Sequence, residues 1–189
     1  MLKWITDFTY QVEIQATEMA VFFKLASEYY RDVILNEASL ANISSDDHIL
    51  CIGGGVCPFS AILLHRITGA RVTVIDNNAE CVPIAGRVID RLGIGGSVRV
   101  LCEDALDTDL AVSEYSVIHM AMQVSPLNDV FARMEKLAAP GTRLLVRRPR
   151  KYLGGMYCKH CGGLPKSVPY ITHTTAGNIG STLMYIKSA

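Results

Sequence analysis

Three consecutive glycines, Gly53-Gly54-Gly55, and two acids downstream, Asp76 and Asp104, are the residues whose type and spacing could do chemistry. A strand that turns sharply into a helix, and leaves its backbone N–H groups open to a ligand, cannot carry Cβ atoms at the turn. Glycine is favoured there. The apolar run Ile49-Leu50-Cys51-Ile52 enters the glycines, and Val56-Cys57-Pro58-Phe59-Ser60 leaves them. Pro58 suits the first turn of a helix, where its missing N–H is not needed. The next β-rich run, Val72-Thr73-Val74-Ile75, ends on Asp76-Asn77-Asn78. Asp76 lies about twenty residues past the glycines, where such a βαβ unit places a carboxylate for two ribose hydroxyls. The expected ligand is an adenosine-containing cofactor; the plain alternative for the glycines is an ordinary tight turn.

The third position of the glycine pattern narrows the choice. Dinucleotide folds use G-x-G-x-x-G so that a helix N-terminus can approach a pyrophosphate. Here Gly53-Gly54-Gly55-Val56-Cys57-Pro58 puts proline at the third place, and proline donates no N–H to a phosphate. A cofactor without phosphates suits this loop better. The stretch resembles motif I of the class I S-adenosylmethionine-dependent methyltransferases, an acid, one residue, then G-x-G-x-G. Gly53 and Gly55 match the first two glycines, Cys57 replaces the third, and Cys51 stands for the acid. The resemblance implies a Rossmann-like three-layer sandwich, α/β, with a mostly parallel, seven-strand-type sheet. It implies S-adenosylmethionine as cofactor, held by Gly53, Gly54, Gly55, Asp76 and Asn77.

Further along, Val98-Arg99-Val100-Leu101-Cys102 reads as a third strand and ends in Glu103-Asp104-Ala105. This segment resembles the part of a methyltransferase that contacts adenine, with Asp104 on the exocyclic amine and the backbone of Ala105 near the ring. An acid just past the carboxyl end of a strand is well placed for that, and a turn or helix-capping aspartate is the alternative. The fourth strand, Ser116-Val117-Ile118-His119-Met120, continues into Ala121-Met122-Gln123-Val124. It carries no Asn-Pro-Pro-Tyr-type motif. His119 and Gln123 are the polar groups offered where substrate and sulfonium would meet, and both are expected to be catalytic.

A second resemblance, to the nicotianamine synthase family, rests on Val117 to Val124, on Ala139-Pro140-Gly141-Thr142-Arg143-Leu144-Leu145-Val146-Arg147-Arg148, and on Cys51 to Pro58. That family uses the same cofactor but transfers its aminocarboxypropyl group. The expected function is methyl transfer to a small molecule, with aminocarboxypropyl transfer as the alternative.

Arg143, Arg147, Arg148, Arg150 and Lys151 gather positive charge at the end of the fifth strand. Arg147 is expected to bind a substrate carboxylate, because a guanidinium grips one with two bonds. Cys158-Lys159-His160-Cys161 has the look of half a zinc knuckle. A tetrahedral structural zinc takes four ligands, usually from two such pairs, and no second pair exists; no metal is expected, the alternatives being a zinc that recruits His173, Cys102 or a second subunit, and a redox-active dithiol.

These residues need a frame, and the chain supplies one. At 189 residues it suits a single α/β domain. Apolar residues recur at helical spacing over 8–40, read as two helices meeting near Tyr29, so that 1–45 is a helical segment ahead of a cofactor-binding domain at 46–189. Helices are expected at 79–92 and 128–138, and a last antiparallel strand at 181–187 after a looser stretch. Eighteen basic and eighteen acidic residues balance to a formal charge of zero, which offers no footprint for nucleic acid or an acidic membrane. No apolar run approaches the ~20 residues of a membrane span. Six scattered cysteines look like reduced thiols. The expectation is a soluble cytoplasmic enzyme with a small-molecule substrate, with homo-oligomerisation left open.

Overall fold

A computed structural model describes residues 20–153, 168–174 and 177–189. Helix α1 spans Ala20–Leu40 and leads into strand β1, His48–Ile52. Then follow α2 (Phe59–Thr68), β2 (Arg71–Asp76), α3 (Cys81–Arg91), β3 (Val98–Cys102) and β4 (Val117–Met120). Helix α4 (Leu127–Leu137), β5 (Arg143–Pro149), β6 (Tyr170–Thr172) and β7 (Ile179–Ile186) complete the order. The two helices expected within 8–40 are, over the described part, one continuous helix. Tyr29 and Tyr30 carry no backbone constraint that would break it, and residues 1–19 lie outside the described residues, as does the Cys158–Cys161 pair.

The seven strands form one sheet in the order β3-β2-β1-β4-β5-β7-β6. Strands β1 to β5 pair in parallel, while β7 runs antiparallel to both β5 and β6. The looser stretch expected before the last strand therefore contains a short edge strand, β6, and β7 starts two residues earlier than anticipated. Helices cover both faces of the sheet, which is why the central parallel strands are mostly apolar rather than alternating. Ile49 and Cys51 of β1 pack with α1, α2 and α3, whereas Leu50 and Ile52 pack on the other side with α4. Gly69 ends α2 in the left-handed conformation at φ +77°, its N–H on the His65 carbonyl at 2.8 Å.

The order of strand addition reverses between β1 and β4, with β2 and β3 laid down on one side of β1 and β4 and β5 on the other. That is a topological switch point, and the crevice outside the carboxyl ends of the strands is where such sheets take ligands. No described helix is long and apolar enough to cross a membrane.

Candidate functional site

A crevice of about 380 Å³ opens at that switch point, within the size range of small-molecule sites. The glycine loop forms one wall. Gly53 and Gly55 sit at φ +84° and +61°, a region costly for residues with a Cβ. Gly54 is needed for a different reason: a Cβ there would stand 2.4 Å from Val74 Cγ1. The backbone is thus bare where it faces the crevice.

Asp76, at the end of β2, braces this loop. Its Oδ2 accepts the Gly55 N–H at 2.8 Å and its Oδ1 accepts the Asn78 N–H at 2.9 Å. Each oxygen keeps a lone pair for a ligand. Across from it, Asp104 Oδ1 accepts the Leu106 N–H at 2.8 Å, and Asn77 Nδ2 donates to its Oδ2 at 3.2 Å. These bonds hold its carboxyl below the usual carboxylate range. Asp104 is thus a turn aspartate and also lines the crevice, so both readings of it meet in one residue. Ala105 beside it is buried and lines the same space.

The opposite end is built by β4 and β5. Register sets Cys51, His119 and Leu145 in one row across β1, β4 and β5, and Arg147 opposite Thr182 of β7. With a side-chain period of two, His119, Arg147 and Thr182 all point to the face that α1 covers. Glu37 of α1 comes down onto them. Its Oε1 accepts Arg147 Nε at 2.8 Å and the Thr182 hydroxyl at 2.6 Å. Its Oε2 accepts Arg147 Nη2 at 2.8 Å and His119 Nε2 at 3.1 Å. Arg147 Nη1 donates to Ser60 Oγ at 2.8 Å, and its Cζ lies 5.9 Å from the Tyr30 ring. All four hub residues are buried.

Charge in this hub is balanced. Burial by itself pushes the Glu37 carboxyl up, but Arg147 and His119 reverse that and hold it far below the usual range. Burial, reinforced by the Arg147 guanidinium, lowers His119, so its imidazole is neutral at neutral pH. Since ionised Glu37 can only accept, His119 carries its proton on Nε2, and Thr182 donates its own. Thr182 Oγ1 then accepts from His173 Nε2 at 2.9 Å. Burial raises the Cys51 thiol to about 12, which leaves it protonated.

Sequence reasoning placed Gly53, Gly54, Gly55, Asp76, Asn77, Asp104, Ala105, His119, Gln123 and Arg147 around one site, and all ten line this crevice. Arg147 differs from expectation in one respect: the carboxylate its fork grips is the chain's own Glu37, which displaces the expected grip on a substrate carboxylate. Glu37, Thr182 and Tyr30 were not singled out. Glu37 had a readable signal, because Tyr30, Ile34, Glu37, Ala38 and Ala41 fall on one helical stripe and four of these five positions are apolar or aromatic.

Among solved structures, a point mutant of MtNAS, a nicotianamine synthase, in complex with S-adenosylmethionine superposes with TM-score 0.80 at 19% identity, covering 99% of this chain and 76% of that one. The chain shares the fold of that protein. An RNA methyltransferase from Salinibacter ruber, in complex with S-adenosyl-L-homocysteine, follows at TM-score 0.64 and 16% identity, covering 84% and 92%. A geranyl diphosphate methyltransferase in complex with S-adenosylmethionine matches at TM-score 0.58 and 21% identity, covering 69% and 52%. No protein-family model matches the sequence. No curated protein matches it either. This fold is thus shared by methyltransferases and a nicotianamine synthase, and the seven-stranded sheet agrees with both resemblances read from the sequence.

Proposed function

We propose that the protein binds S-adenosylmethionine in this crevice and transfers its methyl group to a small molecule. The observation that carries the reading is the pairing of a side-chain-free loop with Asp76, whose two oxygens each keep a lone pair after bonding Gly55 and Asn78. Gly53, Gly54 and Gly55 leave room for the cofactor's amino-acid portion against bare backbone. Asp76 takes the ribose hydroxyls, Asp104 takes the adenine amine with Asn77 steadying it, and Ala105 packs on the ring. The solved neighbours crystallised with S-adenosylmethionine or S-adenosyl-L-homocysteine support this assignment.

When bound, S-adenosylmethionine supplies a methyl carbon that is already electrophilic. The protein's part is then to hold a nucleophile in line, and no acid–base dyad is required. Gln123 and the neutral imidazole of His119 stand at the β4 end where that nucleophile would approach, and they orient it. Glu37 acts through His119, fixing which ring nitrogen carries the proton.

Calorimetry with S-adenosyl-L-homocysteine tests the cofactor reading. Asp76→Ala removes a charged hydrogen-bond partner and should weaken binding by about 1.5–3 kcal/mol. Equal binding by both proteins would sink the ribose assignment. The nucleoside product tests the group transferred. S-Adenosyl-L-homocysteine is expected; methylthioadenosine would mean aminocarboxypropyl transfer, the second reading.

A further inference from the structure

We propose that the acceptor taken up at the β4–β5 end of the crevice is an uncharged small molecule, recognised by hydrogen bonds and apolar contact rather than by an ion pair. This rests on the methyl-transfer reading and adds the class of substrate to it. Among the described residues that line the crevice, the charged side chains are Asp76, Glu103, Asp104 and Arg147. The three acids stand at the ends of β2 and β3, on the nucleoside side. Arg147 alone stands at the far side, across β1 and β4.

Arg147 brings no net charge to that end. Glu37 accepts from Nε and Nη2 at 2.8 Å each, and Ser60 Oγ accepts from Nη1. An incoming carboxylate would be desolvated against a guanidinium that already has its counter-ion, the Glu37 carboxylate. Displacing Glu37 would leave that group buried without its cation, a heavily unfavourable exchange. The low dielectric makes this stricter than at a surface.

The other groups at this end agree. His119 is neutral at neutral pH because burial and Arg147 lower it. Tyr30 stacks on Phe59 with ring centroids 5.8 Å apart and planes at 17°, presenting an aromatic wall. Met122 and Ile179 are apolar, while Gln123 and Asn178 carry amides, which both donate and accept. Such a lining fits a carbonyl, amide or hydroxyl on an apolar body.

The test compares two probes of one shape and different charge, benzamide and benzoate, titrated into the full chain saturated with S-adenosyl-L-homocysteine and followed by ligand-observed NMR at neutral pH. For the wild type, benzamide should bind at least about tenfold more tightly than benzoate. Glu37→Gln leaves the Arg147 charge unopposed, and the order should reverse in favour of benzoate. Benzoate binding as well as benzamide to the wild type, binding of neither probe, or an unchanged order in folded Glu37→Gln would overturn the proposal. Where Glu37→Gln does not fold, the wild-type order decides alone. Failure of S-adenosyl-L-homocysteine itself to bind would remove the cofactor reading, and this one with it, and calorimetry on the wild type identifies that case before any probe is added.

Discussion

Replacing Arg147 by methionine keeps much of the side chain's length and removes its charge, so it reads the buried pair directly. Glu37 would lose a donor at 2.8 Å from each oxygen and keep only His119 and Thr182. Removing one member of a buried ion pair costs about 3–5 kcal/mol. The loss should also depend on pH, with a sign that follows from the hub. In the wild type the folded state holds Glu37 ionised and His119 neutral, both depressed relative to the unfolded chain. Their contribution is therefore complete above the unfolded histidine value of about 6.5 and is lost as pH falls. In Arg147→Met the cation that opposed protonation of both groups is gone, so folding draws a proton onto the Glu37–His119 pair. Stability then falls as pH rises, by up to about 1.4 kcal/mol per pH unit for one proton. Urea unfolding followed by far-UV circular dichroism from about pH 5 to about pH 8 measures both curves, the unfolded-state histidines being common to the two proteins. The gap should widen steadily toward pH 8. A loss under about 1 kcal/mol, or a gap that widens on acidification, would refute the account of the hub.

Gly54→Ala forces a Cβ to 2.4 Å from Val74 Cγ1 and should cost about 1–3 kcal/mol in urea unfolding. Adding Val74→Ala should recover part of that, with a coupling of about 1 kcal/mol in the double-mutant cycle; strict additivity would count against the clash. Thr182→Val deletes the hydroxyl that donates to Glu37 and accepts from His173, at an expected cost of about 1–3 kcal/mol, and Thr182→Ser should restore most of it.

How much the sequence disclosed varied with the range of the interactions. The glycine loop, Asp76 and the strands around them were legible because a βαβ unit writes its geometry locally: an apolar run, a turn that excludes Cβ atoms, and an acid about one helix later. Helix α3 was placed within two residues because Gly93, at φ +69°, marks its end. Strand β6 was missed since Tyr170–Thr172 is a three-residue edge strand just after Pro169, too short to show alternation. The hub was missed for a deeper reason. Glu37 reads locally as one more charge on a helix, and its meaning comes from residues brought together only by strand register. Arg147 was read as a fork for a substrate carboxylate, and the carboxylate it meets is the chain's own Glu37.

Glu37 meets His119, Arg147 and Thr182 at sequence separations of 82, 110 and 145 residues. Contacts that close such long loops form late, because chain entropy must be offset before they reward it. During synthesis the nucleoside half, built from β1 to β3, can assemble while the acceptor wall still waits for β7 to dock beside β5. A nascent chain halted before Ile179 is thus expected to gain affinity for an adenosine moiety ahead of any capacity for transfer, and helix α1 is expected to exchange amide hydrogens freely until β7 arrives.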